Sequence, residues 1–131
     1  MINVVIVDDH AVFSSTLIKQ LTSLKVVGVA KNDPSAVKLI KKKKPDIVLL
    51  DPAMPLHSHH SILADIKSCC GEVKILILTM RNSAESAQAA FDMGASGYCL
   101  KDEGIKNIRS AVSLVTKGEK YISPFLTGAG E

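Results

Sequence analysis

Five short runs of aliphatic residues recur along the chain, and a stretch of helical periodicity follows each of them. This alternation limits the fold more than any other feature of the sequence. The runs lie at Ile2–Val7, Val26–Ala30, Asp46–Asp51 (apolar from Ile47 to Leu50), Val73–Leu78 and Gly97–Leu100. Each is too short for a helix and rich in Val, Ile and Leu, which suits a strand buried on both faces. Between them, apolar residues return at intervals of three and four. Ala11–Leu24 carries Val12, Leu17, Ile18, Leu21 and Leu24. A second helix is expected after Asp33 as N-cap, with Pro34 at its first position, using Ala36, Val37, Leu39 and Ile40 and ending before Pro45. A third, capped by Ser58 or Ser61, packs Ile62, Leu63 and Ile66 and stops at Gly71. A fourth runs from Ser83 to Met93 before Gly94, and a fifth from Ile105 to Lys117 before Gly118.

Strict alternation of strand and helix predicts an α/β fold: a doubly wound, five-stranded parallel sheet with helices on both faces. The 131 residues suffice for one such domain. Aromatic residues make up only 4% of the chain, so the core must be aliphatic. The net charge of +3 is too small to argue for nucleic-acid binding. The one dense run, Lys41–Lys44, reads as the last turn of the second helix, where cations complement the helix dipole. Three cysteines, Cys69, Cys70 and Cys99, without CxxC spacing suggest reduced thiols and a cytoplasmic setting. No signal peptide or membrane-length apolar run is visible.

In an open parallel sheet, ligands bind beyond the carboxyl ends of the strands. Polar residues collect there. Strand one ends at Asp8 and Asp9, strand three at Asp51, strand four at Thr79 and strand five at Lys101. Three clustered carboxylates repel one another unless a cation joins them, and Mg²⁺ prefers oxygen ligands of this kind. Asp9 and Asp51 can bind it directly and Asp8 through water. A carboxylate can also attack phosphorus, after which Mg²⁺, the Lys101 ammonium and the Thr79 hydroxyl would neutralise the transferring group.

The Asp8–Asp9 pair, Asp51 in DIVLLDPAMP, Thr79 in ILILTM and Lys101 in GASGYCLKD occur in order, each at a strand end. In this the chain resembles the CheY-like receiver domains of two-component response regulators over nearly its whole length. The wording around Leu78–Met80, GASGYCLKD and the final YISP is closest to the subclass that carries a LuxR-type helix-turn-helix. The resemblance implies a flavodoxin-like (βα)5 fold with strand order 2-1-3-4-5. It implies phosphorylation of Asp51 and a Mg²⁺ site from Asp8, Asp9, Asp51 and the carbonyl of Ala53. The phosphoryl group would meet Lys101, Ala53 and Met80. Thr79 and Tyr98 would form the switch that alters the face of helix four, strand five and helix five. The implied partners are a histidine kinase or phosphotransfer protein, a second copy in a homodimer, and DNA only through an output domain outside this chain, with no membrane. The receiver would span residues 1–121, and 122–131 would be a tail or the start of a linker.

The loop after Asp51 departs from the family pattern. Pro52 follows directly, and Leu56 and His59 replace two glycines. The geometry of this loop, and with it the rate of phosphotransfer, is what the change puts in question. Ala53 has no side chain to hold a water near the phosphoryl group, which suggests slow self-hydrolysis, whereas Arg81 could act on the same water in the other direction. His57, His59 and His60 offer a zinc reading without defined ligand spacing. Two other functions compete with the switch. One is a binding module that no longer depends on phosphorylation. The other is a hydrolase with Asp51 as nucleophile, which lacks a second aspartate at position 53.

Overall fold

A computed structural model describes residues 1–52 and 59–127. The side chains of Asp33 and of residues 59–61 are not among those described. The elements run β1 (Ile2–Val7), α1 (Ala11–Gln20), β2 (Leu24–Ala30), α2 (Asp33–Lys43), β3 (Ile47–Leu50), α3 (His59–Cys69), β4 (Lys74–Thr79), α4 (Ala84–Asp92), β5 (Gly97–Leu100), a 3-10 turn (Lys101–Glu103), α5 (Ile105–Thr116) and β6 (Tyr121–Ile122). The sheet is parallel throughout, in the order β2-β1-β3-β4-β5-β6.

The expected order 2-1-3-4-5 is present, and a sixth strand extends it. Tyr121 and Ile122 pair with Gly97 and Tyr98 on the outer edge of β5. Two residues after a helix stop carry no periodicity, so the sequence pattern gave no hint of this strand. Four further expectations need correction. α1 ends at Gln20, because Leu24 leaves the helix to open β2 opposite Ile2. Val12 and Ile18, expected on its buried face, are 82% and 46% exposed. The cap of α2 is Asn32, whose side chain accepts from the Ser35 N–H at 3.0 Å, and Asp33 is the first helical residue. Ser61 lies inside α3 and is not its cap; Ser58 lies outside the described residues.

The period-two alternation of the strands splits the core into two layers. Val5, Val7, Val48, Leu50, Ile75, Ile77 and Tyr98 meet α2, α3 and α4 on one face. Val4, Ile6, Ile47, Leu49, Leu76, Leu78 and Cys99 meet α1 and α5 on the other. Burial on both faces holds the strands in register, so their carboxyl ends form one fixed edge. Lys41, Lys42 and Lys43 occupy the last turn of α2, as the charge run suggested.

Candidate functional site at the carboxyl edge of the sheet

β1 and β3 deliver the acids. The Asp8 N–H continues the ladder to the Ala30 carbonyl, and the Asp51 N–H continues it to Val7, each at 2.9 Å. Both aspartates are buried, 2% and 3% exposed. Asp9, one residue further, is partly exposed. The 3-10 turn brings Lys101 back over this edge. Gly104, at φ 97°, then redirects the chain into α5, a conformation that favours glycine.

Lys101 is the centre of the arrangement. Its Nζ lies 2.7 Å from Asp8 Oδ2 and 2.7 Å from Asp51 Oδ2, with only 5% of the side chain exposed. The ammonium also sits 4.7 Å from the centroid of the Phe13 ring on α1. One cation thus joins two buried carboxylates that would otherwise repel.

His10 completes the cluster, and the sequence reading missed it. Its Nδ1 is 2.8 Å from Asp8 Oδ1, 2.8 Å from Lys101 Nζ, 3.4 Å from Asp51 Oδ2 and 3.6 Å from Asp9 Oδ1. One ring nitrogen cannot donate to Asp8 and accept from the Lys101 ammonium at the same time, so these contacts are alternatives. The His10 backbone N–H already donates to Asp8 Oδ1 at 2.9 Å. The available signal was its place directly after the acidic pair.

Asp8, Asp9 and His10 present ligand atoms within 4.8 Å of one another. Asp9 Oδ1 is buried and has no hydrogen-bond partner among the described residues, with His10 Nδ1 3.6 Å away. A buried carboxylate oxygen without a donor, beside two more carboxylates, is the donor set a hard cation needs. The acids therefore fit a divalent metal such as Mg²⁺. Ala53, expected to lend a carbonyl, lies outside the described residues, as do Met54, Pro55, Leu56, His57 and Ser58; no side-chain geometry bears on a zinc site at His57, His59 and His60.

The switch candidates lie at the ends of β4 and β5. Thr79, 2% exposed, accepts from the Arg81 N–H at 3.2 Å. Tyr98 lies inward at 2% exposure, and its hydroxyl donates to the Arg81 carbonyl at 2.8 Å. Burial raises the Tyr98 phenol above its usual range, so it remains a donor at neutral pH. Both residues therefore grip the backbone of Arg81. Beside them a cavity of about 80 Å³ is lined by Pro52, Leu63, Thr79, Ser86, Ala90 and Tyr98. Met80 is 63% exposed.

The C-terminal segment reaches the same backbone. Ser123 N–H donates to the Tyr98 carbonyl at 2.9 Å, and Thr127 N–H donates to Asn82 at 2.7 Å. The Ala84 N–H at the start of α4 donates to Thr127 at 2.8 Å. Glu103 ties β6 down from the Lys101 turn, accepting from Leu100 N–H at 2.8 Å and from the Tyr121 hydroxyl.

Comparison with known proteins agrees with this geometry. The model of the family described as response regulator receiver domain matches residues 4–113. The protein named Probable transcriptional regulatory protein NarL of Mycobacterium tuberculosis is 33% identical over 99% of this chain and 62% of its own length. The transcriptional regulatory protein DegU of Brevibacillus brevis is 31% identical over 96% of this chain and 55% of its own. The chain thus spans roughly 55–62% of the length of these relatives. Among solved structures, the signal receiver domain of a NarL response regulator of M. tuberculosis superposes with a TM-score of 0.83 at 31% identity, covering 90% of this chain and 98% of that one. A LuxR-family response regulator of Aurantimonas sp. gives 0.89 at 28% identity, covering 95% and 91%. With acids, lysine and hydroxyl at the carboxyl edge of its sheet and a family match over residues 4–113, this chain belongs to the response-regulator receiver domains.

Proposed function

We propose that this domain accepts a phosphoryl group on Asp51 from a phosphohistidine of a histidine kinase or phosphotransfer protein, and so acts as a switch rather than a classical enzyme. The observation that carries the reading is the Lys101 ammonium, 2.7 Å from both Asp8 and Asp51 within one buried cluster. An Asp51 oxygen attacks phosphorus, the bond from phosphorus to the donor imidazole nitrogen breaks, and that nitrogen takes up a proton. Lys101, already paired with Asp51, moves its charge to the new phosphoryl oxygens. The Thr79 hydroxyl can donate to one of them while still accepting from Arg81. The Met80 N–H would offer a further donor. Asp8, Asp9 and Asp51, with the Ala53 carbonyl, would hold Mg²⁺, which supplies charge neutralisation on the phosphoryl oxygens.

The output side of the reading rests on Arg81. Its N–H is held by Thr79 and its carbonyl by Tyr98, and the next residue holds Thr127. A Thr79 side chain drawn toward the phosphoryl group pulls directly on this strap. The inward position of Tyr98 belongs to the chain itself, so phosphorylation need only shift the balance between two packings. The receiver would occupy residues 1–121, with 122–131 leading into a linker from the face of α4, β5 and α5. The length of the relatives favours an output domain beyond that linker, with DNA as its target, and the same face could pair two copies. No helix among the described residues is long and apolar enough to cross a membrane.

The test is the intact mass of the chain after incubation with acetyl phosphate or phosphoramidate and Mg²⁺, beside Asp51→Asn. One added phosphoryl group that requires both Mg²⁺ and Asp51 is expected. No adduct, together with no beryllofluoride binding, would reject the switch in favour of a phosphorylation-independent binding module.

A further inference from the structure

We propose that Cys69 and Cys70 form a dithiol site for a soft, thiophilic ion, of the class represented by trivalent organoarsenicals. The site is separate from Asp51, and its test does not depend on phosphorylation.

The pair sits at the end of α3. Cys69 is the last helical residue, and the Cys70 N–H still donates to the Ile66 carbonyl at 2.8 Å. Cys70 lies just past the end of the helix, and the two sulfurs are 2.7 Å apart. Both are half-buried, and both line a groove of about 1140 Å³. Met1, Ile2 and Lys74, at the starts of β1 and β4, line it as well. It therefore opens at the amino edge of the sheet, opposite Asp51. Cys99, the third thiol, is fully buried in the other core layer.

Geometry favours a bridged ion over a disulfide. Consecutive Cα atoms across a trans peptide are about 3.8 Å apart, below the roughly 4.4–6.8 Å that ordinary disulfides span. The described peptide bonds are all trans. A bridging atom removes this conflict, because two bonds of about 2.3 Å, the length of a zinc–sulfur bond, hold sulfurs well over 3 Å apart. The sulfurs need to part by only about 1 Å to accept it. Burial, reinforced by the contact with Cys69, pushes the Cys70 thiol up to about 11.

The donor set also narrows the ion. Zinc wants four ligands. Two acids, Asp46 and Glu72, line the groove, but among the described residues no His, Asp or Glu brings a ligand atom within 4.8 Å of both sulfurs. An ion that needs two sulfurs and brings its own third substituent fits better, and the groove has room for that substituent. With phenylarsine oxide, two As–S bonds form and the As–O bonds break. The oxygen leaves with both thiol protons as water, and arsenic stays trivalent.

The experiment is a titration of the full chain with phenylarsine oxide, followed by non-denaturing intact mass in the presence of excess 2-mercaptoethanol. One adduct per chain is expected. Cys69→Ser and Cys70→Ser should each weaken it on the order of 100-fold, because the second bond is intramolecular. Cys99→Val should leave it unchanged. Circular dichroism of each variant checks that it is folded. An adduct that survives in folded Cys69→Ser or Cys70→Ser, that depends on Cys99, or that forms only after unfolding would overturn the proposal. So would a two-proton mass loss in air with no arsenic bound afterwards.

Discussion

Replacing Lys101 by methionine isolates its charge. The unbranched side chain keeps most of the volume, so packing contributes a minor share, while the contact of the ammonium with the Phe13 ring is lost together with the charge. The loss is the ammonium that sits 2.7 Å from both Asp8 and Asp51. Both acids are about nine-tenths buried or more, and removing the partner of a buried charge costs about 3–5 kcal/mol. His10, at 2.8 Å from Asp8 and 3.4 Å from Asp51, offsets part of this and places the expected loss near the lower figure, about 3 kcal/mol. A domain of this size holds roughly 5–15 kcal/mol, so the variant remains folded. Urea unfolding followed by circular dichroism at pH 7 in EDTA reads the effect. With a slope of about 1.5 kcal/mol per molar urea, the midpoint should fall by about 2 M. Lys106→Met, an exposed control on α5, should shift stability by less than about 0.5 kcal/mol. Adding Asp51→Asn to Lys101→Met removes one stranded carboxylate and should recover about 2 kcal/mol, a coupling that a double-mutant cycle measures. Lys101→Met within about 0.5 kcal/mol of the parent, or a cycle with no coupling, would refute the argument that this lysine holds the acids together.

Three further outcomes follow from individual contacts. Mg²⁺ at ten times its dissociation constant should stabilise the parent by about 1.4 kcal/mol in a thermal melt. Asp9→Ala should lose that response, since Asp9 Oδ1, which accepts no hydrogen bond from the described residues, is the oxygen best placed to take a ligand; an equal response in both proteins would discard Asp9 as a ligand. Tyr98→Phe removes the hydroxyl donor to Arg81 and should cost about 1 kcal/mol in urea unfolding, whereas unchanged stability would mean that the bond contributes nothing. Burial raises the Glu103 carboxyl, but hydrogen bonds from Leu100, Ser123 and Tyr121 outweigh it and hold the carboxyl below its ordinary value. A depressed carboxyl contributes stability above its unfolded value, and that contribution is lost as pH falls through the folded value. Glu103→Gln should therefore cost about 1 kcal/mol at pH 7, with the gap from the parent closing below about pH 4.5; a gap that widens in acid would exclude this role.

The parts of this molecule that could be read from sequence depend on local pattern. Five buried strands advertise themselves through unbroken aliphatic runs. Because each run stops at a polar residue, Asp8, Asp51, Thr79 and Lys101 could be assigned to one edge before any coordinates. What the sequence hid depends on contacts between distant segments. Val12 has the right spacing for the buried face of α1 but lies in its first turn, beyond the sheet, at 82% exposure. β6 is legible only once β5 is in place. A Cβ on Gly97 would lie 2.7 Å from Leu76 Cδ1, 2.9 Å from Val115 Cγ2 and 3.4 Å from Tyr121 Cβ, so the missing side chain makes room for the sixth strand. His10 shows the same limit at the site. Its neighbours in sequence marked it only as the residue after two acids, and its contact with Lys101 spans 91 positions. The loop–tail strap is hidden for the same reason, since Asn82 and Thr127 meet across 45 positions. Residues that carry charge to a strand end are therefore visible from local pattern. Residues that tie this edge to the C-terminal segment are held by bonds to backbone atoms distant in sequence, which no local pattern encodes. In this domain those bonds meet at Arg81 and Asn82, between the hydroxyl of Thr79 and the segment that ends at Thr127.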